Sequence, residues 1–370
     1  MPTSPDDNDR YYMRRCLDLA RSAMGNTAPN PMVGCVIVKD GKIIGEGYHP
    51  KAGEPHAEIF ALRSANQTHE AQTDKATLSA TLYVNLEPCN HTGLTPPCSD
   101  AVIASGVSRV VVGMVDPNPK VAGSGIAKIK AAGIAVTVGV EEDACQTLNE
   151  AFVHRILNQR PFGILKYAMT IDGKIATTTG HSAWITSPDS RRWVYQLRSY
   201  CQAIIIGGNT VRKDNPNLTC HGVSDRIPLR VVMSRSLDLP TVANLWNCDQ
   251  APTVVFTQPN PNRDIHNALT RQGVEIIELE VLTPDSVMKN LYDRGQAQVL
   301  WECGGTLAAR ALQDNSVQKL YAFIAPKIIG GASAPTPIGD LGLTEMTQAI
   351  ELKKLGLQSI GPDWLLDAYL

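Results

Sequence analysis

The apolar positions of this chain alternate between a two-residue and a helical period, which predicts a mixed α/β fold. Residues 6–24 keep a helical apolar stripe, and "VGCVIVKDGKIIGEGY" predicts two strands joined at Asp40 and Gly41, a dipeptide typical of hairpin turns. Helices are then predicted in "HAEIFALRSA", "CSDAVIASG" and "GIAKIKAAG", and strands in "ATLYVNLEP", "SRVVVGMVDPNP" and "IAVTVGV". One amphipathic helix over "EDACQTLNEAFVHRILNQ" follows. This alternation predicts a mostly parallel sheet with helices on its faces.

The pattern restarts at Pro161, where the proline ends the preceding helix. Strands are predicted in "RPFGILKYAMTIDGKIA", "CQAIIIGG", "LRVVMS", "PTVVFT", "VEIIEL" and "QVLWECGG", and a helix followed by a strand in "ALQDNSVQKLYAFIAPKIIGG". A chain of 370 residues also exceeds the usual size of one compact domain. We therefore predict two α/β domains, residues 1–158 and 159–370.

Composition narrows the class of protein. Apolar residues make up 43% of the chain and aromatic residues 5%, and the formal net charge is -2. The chain has no run of Lys or Arg, which argues against nucleic acid or a membrane surface as a partner. Its polar beginning and the lack of an apolar run of about 20 residues predict neither a signal peptide nor a membrane span. Nine cysteines without framework spacing predict reduced thiols, and we expect a cytoplasmic protein.

Three residues in two short segments form the donor set of a zinc site. "HAEIFAL" begins with His56, and "EPCNHTGLTPPC" supplies Cys89 and Cys98. One imidazole and two thiolates suit Zn²⁺, and a motif with three ligands leaves the fourth tetrahedral position open for water, as in catalytic sites. The pKa of that water can fall from about 15.7 towards 7. Cys98 precedes "SDAVIAS", so that a helix dipole favours its thiolate.

Glu58 is the predicted proton carrier of this site. It follows His56 by two residues at a helix start, where its carboxylate can reach the bound water without being a ligand. Each part taken alone is weak evidence, since Cys98 by itself is more often a buried thiol than a ligand. The combination of H-A-E, E-P-C and a second Cys predicts one catalytic zinc ion per chain, with a structural zinc or inert thiols as the alternatives.

Two glycine pairs in the second half predict a nucleotide cradle. Gly207 and Gly208 follow an apolar strand, and Gly304 and Gly305 lie between a strand and a helix. Without a Cβ, backbone N–H groups at such positions can approach a phosphate, and the Thr306 hydroxyl can add a contact. No G-x-G-x-x-G is present, and either pair alone is more often a tight turn. The two pairs together favour a dinucleotide.

The zinc motif resembles that of the cytidine/deoxycytidylate deaminase superfamily, although that group more often spaces its cysteines as C-x-x-C. The longer form here, with "NPMVGCVIV" upstream and "VVVGMVDPNPKVAGSGIAKIKAAGI" downstream, resembles the deaminase domain of the bifunctional riboflavin-biosynthesis deaminase/reductases over residues 10–155. The resemblance implies a three-layer α/β/α domain. It also implies hydrolytic loss of an amino group from a diaminopyrimidinone that carries a phosphoribosylamino group.

Substrate contacts in the first domain also follow from this resemblance. It implies that Asn30, His49 and His91 bind substrate, although each alone is as well explained as a turn residue or a solvated His. Leu94 stands where the family often has a basic residue for the substrate phosphate. Leucine cannot fill that role, which leaves Lys51 or Lys120 as alternatives.

The second half resembles the reductase domain of the same family in "KYAMTIDGKIAT", "SAWITSPDSRRWVYQLRS", "GGNTVRKDNPNLT" and "WECGGTLA", over residues 160 to about 335. The resemblance implies a dihydrofolate-reductase-like α/β fold and reduction of a ribosyl carbon to a ribityl chain by hydride from NADPH. The residues it implies at NADPH are Ala168, Trp184, Thr210, Asp214, Gly304, Gly305, Thr306 and Leu307. Those it implies at the substrate are Lys166, Ser182, Arg198, Leu218, His221 and Glu302.

Two of these residues could also have a purely structural role, and one residue departs from the family pattern. Lys166 is expected beside Glu302 near the reacting ribose, but it could be an exposed strand residue, and Trp184 could be part of the core. The family pattern "LT-x-R" has Arg where this chain has His221. Arginine binds phosphate bidentately and histidine does not, so Arg226 or Arg230 is expected to compensate.

The leading hypothesis is therefore a two-step enzyme with a small-molecule substrate, in which a zinc deaminase feeds an NADPH reductase, and we expect it to form a homodimer or homotetramer. One rival is a nucleic-acid-editing deaminase, which predicts a basic surface and C-x-x-C spacing. The other is a zinc-stabilised nucleotide sensor, which predicts a fourth protein ligand and no need for Glu58. The choice between NADPH and NADH is left open by the motifs themselves.

Overall fold

The structure of the protein, a computed structural model, describes residues 5–67, 76–91 and 96–370. These residues form two compact units, one within residues 1–158 and one within residues 159–370. Each unit has its own sheet and its own apolar core. Of the helices in the described ranges, none combines the length and the apolar character that a membrane crossing demands.

The first unit alternates helices with the strands of a five-stranded sheet. Its described helices are α1 (Pro5–Arg21), α2 (Ala57–Gln67), α3 (Cys98–Ser105), α4 (Ser124–Ala131), α5 (Glu142–Leu148) and α6 (Glu150–Asn158). Its described strands are β1 (Gly34–Lys39), β2 (Lys42–Tyr48), β3 (Thr81–Leu86), β4 (Arg109–Met114) and β5 (Ala135–Val138). The hairpin at Asp40 and Gly41 is confirmed, with both residues at positive φ.

The sheet of this unit has the order β2-β1-β3-β4-β5 and is mixed. Strand β1 runs antiparallel to β2 and β3, whereas β3, β4 and β5 are parallel. The prediction of a mostly parallel sheet is therefore wrong here, because the hairpin strand β1 also pairs with β3. Helices α1 and α5 pack on one face and α2 and α4 on the other, which makes three layers.

Glycines in β2 bring α2 close to the sheet. A Cβ at Gly45 would overlap the Ala61 carbonyl oxygen, and one at Gly47 would overlap backbone and side-chain atoms of the same helix. Ala57, Ala61 and Ala65 form the buried face of α2 against these glycines. This close packing fixes the N-terminal end of α2, where His56 and Glu58 lie.

The single helix predicted over "EDACQTLNEAFVHRILNQ" is wrong, because the segment forms α5 and α6 with a break at Asn149. The Asn149 side chain is buried, accepts a hydrogen bond from Met32 N at 2.8 Å and donates one to Met32 O at 3.0 Å. Side-chain bonds of this kind compete with helix continuation. The first predicted helix likewise ends at Arg21 and not at Met24, where turns follow.

The second unit contains a nine-stranded sheet of order β10-β9-β8-β7-β11-β6-β12-β14-β13. Its strands are β6 (Phe162–Thr170), β7 (Ala203–Gly207), β8 (Leu229–Met233), β9 (Thr253–Thr257), β10 (Glu275–Glu278), β11 (Gln298–Trp301), β12 (Lys319–Ala325), β13 (Lys353–Ile360) and β14 (Asp363–Tyr369). Its helices are α7 (Pro188–Tyr200), α8 (Gly208–Asp214), α9 (Arg263–Arg271), α10 (Pro284–Asp293) and α11 (Gly305–Gln313). Every strand predicted from sequence in this half is present.

Seven strands run parallel to one another, in the order β10-β9-β8-β7-β11-β6-β12 across the sheet. Their carboxyl ends therefore share one edge of the sheet. Loops at that edge are the usual ligand site of parallel sheets. The antiparallel hairpin of β13 and β14 extends the sheet beyond β12 and was not predicted. Its strand β13 is mostly exposed, so it lacks the buried apolar pattern that marks the other strands.

Candidate active sites

Three side chains of the first unit converge on one point. The ligand atoms of His56, Cys89 and Cys98 all lie within 4.8 Å of one another, and the described ranges contain no other such group of His, Cys, Asp and Glu. His56 Nδ1 is 3.2 Å from Cys98 Sγ and 3.5 Å from Cys89 Sγ. This is the cluster that the sequence predicted.

Secondary structure positions each of these residues. His56 immediately precedes α2, and Cys98 is the first residue of α3, as predicted. Cys89 follows β3, and its sulfur accepts a hydrogen bond from the Cys98 backbone N–H at 3.3 Å. The contact between α2 and α3 holds the two segments together. A sulfur atom that accepts a hydrogen bond from an N–H group at a helix start is electrostatically favoured as thiolate.

The two thiols differ in proton affinity. A hydrogen bond with Cys98 lowers the pKa of Cys89 to about 4, and the same contact raises the pKa of Cys98 above its usual range. Cys89 therefore loses its proton more readily than Cys98 does. Thiolates and not thiols coordinate zinc, so a proton on either sulfur leaves when the metal binds.

Glu58 has a buried carboxylate with one oxygen unused by the protein. The residue is 3% exposed, and its Oε2 has no hydrogen-bond partner among the described residues. Burial raises the pKa of this carboxyl. A buried acceptor without a partner is costly unless a ligand or water satisfies it.

The residues present fit a zinc ion with a bound water. One imidazole and two sulfurs can supply three of the four tetrahedral ligands. A water in the fourth position would give Glu58 Oε2 the hydrogen-bond partner that it lacks among the described residues. The described residues supply no fourth ligand to this cluster. Among the described residues the donor set therefore has three members, the number that is typical of catalytic zinc sites.

Asn30 and His49 lie together beside this cluster. Asn30 Nδ2 is 3.3 Å from His49 Nε2, and the His49 ring is 5.4 Å from the His56 ring. His49 Nδ1 donates to Pro55 O at 3.1 Å, so Nε2 is the acceptor of the Asn30 amide. Burial lowers the pKa of His49, which keeps the ring neutral. These contacts hold the Asn30 amide nitrogen and the His49 ring together beside the cluster.

The remaining residues predicted at this substrate are less well placed. His91 is exposed, and Leu94 lies outside the described residues. Lys51 is exposed, with its Nζ 3.9 Å from Glu54 Oε1. Lys120 is exposed on the loop before α4.

Glu87 is a buried residue that sequence reasoning missed. Its carboxylate accepts hydrogen bonds from four backbone N–H groups, those of Asp116, Gly123, Gly125 and Ile126, at 2.8–3.2 Å. It thereby binds the loop before α4 and the first turn of that helix to the segment that carries Cys89. The available signal was an acidic residue directly after a buried strand, where a solvated side chain is not expected.

In the second unit, the two predicted glycine pairs are neighbours. Strands β7 and β11 are adjacent and parallel, so Gly207 and Gly304 follow neighbouring carboxyl ends. A Cβ built on Gly207 would lie 3.5 Å from Leu307 Cδ2, whereas one on Gly304 would meet nothing within 4 Å. Gly304 precedes α11, which begins at Gly305. An exposed backbone at the start of a helix fits a dinucleotide phosphate.

Lys166, Arg198 and Glu302 form one buried ionic cluster next to this edge. Arg198 Nε is 2.6 Å from Glu302 Oε1, and Lys166 Nζ is 3.4 Å from Oε2. Burial acts to raise the pKa of Glu302, but the charges of Arg198 and Lys166 outweigh it and lower the pKa to about 2. The alternative that Lys166 is an exposed strand residue is therefore wrong.

The other residues predicted at NADPH and substrate lie on a parallel strand, on loops or in the helices α8 and α11. Trp184 is 69% exposed with the Arg191 guanidinium 4.4 Å from its ring centroid, so it is not part of the core. Leu218 is buried with its backbone at positive φ, an uncommon conformation for a non-glycine residue. Further members of the set are Ala168 in β6, Thr210 and Asp214 in α8, Ser182 in the loop before α7, and Thr306 and Leu307 in α11.

His221 stands where the family has a phosphate-binding arginine, and Arg226 or Arg230 was expected to bind the phosphate instead. The structure gives His221 and Arg230 different surroundings. The His221 ring stacks on Tyr195 with centroids 4.2 Å apart, and burial lowers its pKa. Arg230 is 0% exposed and donates to Thr253 Oγ1 and to the carbonyls of Asn247 and Ala251. The alternative that Arg230 binds a phosphate is therefore wrong, because its guanidinium is enclosed by protein acceptors.

Comparison with known proteins gives matches along nearly the whole chain. A family model described as the RibD C-terminal domain matches residues 161–366, and one described as the cytidine and deoxycytidylate deaminase zinc-binding region matches residues 6–114. The riboflavin biosynthesis protein RibD of Synechocystis sp. is 60% identical over 363 residues, which cover 98% of this chain and 96% of that protein.

Two solved structures cover the same extent. The diaminohydroxyphosphoribosylaminopyrimidine deaminase/5-amino-6-(5-phosphoribosylamino)uracil reductase of Thermotoga maritima is 35% identical, with a TM-score of 0.87 and 99% of each chain covered. RibD of Acinetobacter baumannii is also 35% identical, with a TM-score of 0.85 and 99% of each chain covered. Both sheets of this chain therefore have counterparts in single polypeptides of the same length.

Proposed function

The chain belongs to the RibD family of bifunctional riboflavin-biosynthesis enzymes, and on that premise we propose its substrate and the residues that act on it. It is a deaminase and a reductase, with Zn²⁺ and NADPH as cofactors. The proposed substrate is 2,5-diamino-6-(5-phosphoribosylamino)pyrimidin-4(3H)-one, which loses an amino group. Reduction of the ribosyl chain then gives 5-amino-6-(5-phosphoribitylamino)uracil.

The deaminase is assigned to residues 1–158 and the reductase to residues 159–370. Support comes from the two compact units and from the positions of the two family matches. Each unit contains one of the two clusters described above, so each reaction has its own set of residues. The order of the steps follows the chemistry, because the product of deamination is the compound that is reduced.

His56, Cys89 and Cys98 hold zinc, and Glu58 carries protons in the deamination. When bound, zinc supplies Lewis acidity that lowers the pKa of a coordinated water towards neutrality. Glu58 Oε2 would take one proton from the attacking water and pass it to the pyrimidine ring nitrogen, and would then pass a second proton, from the added hydroxyl, to the amine, which leaves as ammonia. A carboxyl with a raised pKa suits this exchange, because it can hold the proton between the two transfers.

Asn30 and His49 bind the pyrimidine of this substrate. The Asn30 amide donates to the neutral His49 ring, which orients its carbonyl oxygen towards a donor on the substrate. His91 is assigned to the same pocket on the basis of the family motif alone. A neutral pair of this kind recognises N–H groups without adding charge beside the zinc.

Lys166 and Glu302 act at the reacting ribose in the reduction. NADPH, when bound, supplies the hydride. Lys166 Nζ, next to the ionised Glu302, donates a hydrogen bond or a proton to the ribose oxygen as the ring opens. Arg198 fixes the Glu302 carboxylate through two hydrogen bonds, and Ser182, Leu218 and His221 complete the substrate contacts.

NADPH is assigned to the carboxyl edge of the sheet. The backbone of Gly304 and Gly305 and the Thr306 hydroxyl contact its phosphates at the start of α11, and Leu307 packs beside Gly207. Further contacts are assigned to Ala168, Trp184, Thr210 and Asp214.

The observation that carries this proposal is the unpartnered Oε2 of Glu58 beside a three-ligand metal cluster. The test supplies the diaminopyrimidinone compound with and without NADPH and follows ammonia and the cofactor absorbance together. Ammonia release is expected in both cases, and NADPH oxidation only after ammonia has been released. Oxidation of NADPH that runs ahead of ammonia release would contradict the order of the two steps.

The chain is also proposed to form a homodimer or homotetramer in the cytoplasm. Strand β13 is the last strand of its sheet, and Leu355 and Leu357 on it are more than 60% exposed. An exposed apolar edge strand favours pairing with a second copy. The described cysteines are free thiols, as a reducing compartment requires. Sedimentation of the purified enzyme tests the oligomer, and Leu355→Lys should shift it towards monomer.

A further inference from the structure

The turn between β13 and β14 lies against the first turn of α7. Asp363 begins β14 and is 2% exposed. Its Oδ2 accepts hydrogen bonds from the Ser187 backbone N–H at 2.8 Å and from the Ser190 hydroxyl at 2.6 Å. Gly361 in the turn lies so close to α7 that a Cβ there would overlap Asp189 Oδ2. Ser187 is the N-cap of α7, so this hairpin fixes the residue at which the helix begins.

Helix α7 is also fixed along the rest of its length. Trp193, in the middle of the helix, has its ring 5.0 Å from the ring of Tyr321 in β12. Arg198, in the last turn, binds the carboxylate of Glu302 directly after β11. Two buried carboxylates from different parts of the sheet therefore hold the two ends of one helix. Glu302 acts at the reacting ribose, and Asp363 lies at the opposite end of the same helix.

Residues 182–187, the entry segment of α7, lead directly into the end that Asp363 holds. This segment contains Ser182 and Trp184, which are assigned to the substrate and to NADPH. The Trp184 side chain is 69% exposed, so packing against the core does not fix it in place. The position of both side chains therefore depends on what holds the backbone of the segment.

Three side chains of the described residues anchor the backbone of the entry segment. Lys327 Nζ donates to Trp184 O at 2.7 Å, and Arg191 Nη1 donates to Thr186 O at 2.7 Å. The third anchor is the Asp363 carboxylate. Lys327 is exposed, so water competes for its hydrogen bond, whereas Asp363 receives both of its bonds with little access to water. We expect the buried anchor to contribute most to holding the segment.

We propose that Asp363 is a positioning residue for the reductase, which holds the entry segment where Trp184 meets NADPH and Ser182 meets the substrate. The inference rests on the proposed function, because that function assigns these two contacts. A ligand binds only the fraction of molecules whose site is in place, so loosening the segment weakens the binding of NADPH by the inverse of that fraction. Once both ligands are bound they hold the segment themselves, and the rate of hydride transfer is retained.

The test uses the full-length enzyme with zinc and the variant Asp363→Ala, which removes the acceptor of both hydrogen bonds. The dissociation constant of NADPH without substrate, measured by titration calorimetry, should rise about five- to thirtyfold, because two buried donors lose their acceptor. The kcat of reduction at saturating NADPH and deaminated substrate should stay within about threefold of wild type. The KM for NADPH should rise, and ammonia release should be unchanged.

Three further variants separate position from stability. Asp363→Asn retains an oxygen that can accept both bonds, so its dissociation constant for NADPH should lie between those of wild type and Asp363→Ala. Ser190→Ala removes one bond and leaves that of the Ser187 N–H, so a rise of about two- to fivefold is expected. The matched control is Thr283→Ala, which removes the N-cap of α10 in the same unit, where Thr283 Oγ1 accepts from Ser286 N at 3.1 Å. It should lower the urea midpoint of tryptophan fluorescence as Ser190→Ala does, and leave NADPH binding unchanged.

Two outcomes would overturn the inference. If Asp363→Ala binds NADPH as tightly as wild type and loses only kcat, the carboxylate stabilises the fold and positions nothing. If Thr283→Ala weakens NADPH binding as much as Ser190→Ala does, lost stability and not lost position is the cause. Should Asp363→Ala fail to fold, the comparison of Ser190→Ala with Thr283→Ala decides.

Failure of the proposed function has a different signature. If wild type binds NADPH but does not reduce the deaminated compound, the proposed substrate is wrong, whereas the NADPH titrations still decide the role of Asp363. Weaker NADPH binding in Asp363→Ala, partial recovery in Asp363→Asn and no change in Thr283→Ala support the inference.

Discussion

The zinc site and the reductase site are assembled in different ways. The zinc ligands lie in two short segments, with His56 directly before α2, Cys98 at the start of α3 and Cys89 33 residues after His56. The reductase residues lie on or directly after parallel strands that are far apart in sequence, with Lys166 in β6 and Glu302 directly after β11. Local spacing can specify the first site, whereas only the strand order of the sheet specifies the second.

The same side-chain type has opposite proton chemistry in the two sites. Burial without a cationic partner at hydrogen-bond distance raises the pKa of Glu58, while burial between Arg198 and Lys166 leaves Glu302 with a pKa lowered to about 2. Glu58 therefore holds a proton more readily than an exposed glutamate does, and Glu302 stays ionised. The comparison shows that charged neighbours and not burial alone decide which glutamate transfers protons.

The largest effect is expected for Glu58→Gln, which replaces the proton carrier with an amide of the same shape. Ammonia release should fall by at least about a thousandfold, because general acid–base catalysis of this kind contributes about 10²–10⁴-fold and this residue serves more than one transfer. Zinc content by elemental analysis and NADPH oxidation on pre-deaminated substrate should be unchanged. Retention of ammonia release would exclude Glu58 as the proton carrier.

The matching change in the second unit is Glu302→Gln. We expect NADPH oxidation to fall by about a hundredfold or more, because Lys166 and Arg198 lose the charge that fixes them at the reacting ribose. Ammonia release should remain at the wild-type rate, measured in the same reaction. A reductase rate within about threefold of wild type, with a normal far-UV spectrum, would exclude a role for this carboxylate in the reduction.

The same contrast explains how much of each site could be predicted from the sequence. His56, Glu58, Cys89 and Cys98 were predicted from their own chemistry and spacing, and the structure brings the three ligands together. The proximity of Asn30 and His49 was implied only by the family resemblance. Nothing in their separation of 19 residues indicates that an irregular segment and the end of β2 meet at the zinc cluster.

Burial of polar groups was the main thing the sequence did not predict. Glu87 and Asn149 lie in patterns that continue the strand or the helix, yet their side chains bind backbone groups of distant segments. The choice between Arg226 and Arg230 depends on where β8 begins, because the strand places Arg230 inside the sheet and the loop leaves Arg226 at a cavity. Periodicity locates elements well and their boundaries less well.

The lowered pKa of Glu302 predicts acid sensitivity of the second unit. The usual pKa of 4.5 falls to about 2 in the folded state, so the ionised cluster stabilises the fold above pH 4.5 and this contribution is lost as pH falls towards 2. All five tryptophans lie within residues 159–370, so their fluorescence reports this unit alone. Glu302→Gln should remove the loss of stability in that window. An unchanged acid transition in the variant would assign it to other carboxyls.

The smallest effect is expected for Glu87→Gln, which sharpens the comparison by testing a carboxylate with no role in proton transfer. An amide nitrogen cannot accept, so two of the four backbone N–H groups lose their acceptor, at about 1–3 kcal/mol each. The first unit contains no tryptophan, so its unfolding should appear as a circular-dichroism transition in urea without a fluorescence change. As a control, Glu46→Gln removes only a solvent-accessible pair with Arg15, worth about 1 kcal/mol or less. Equal effects of the two changes would mean that the buried carboxylate does not stabilise the loop before α4, and that its position beside Cys89 is incidental.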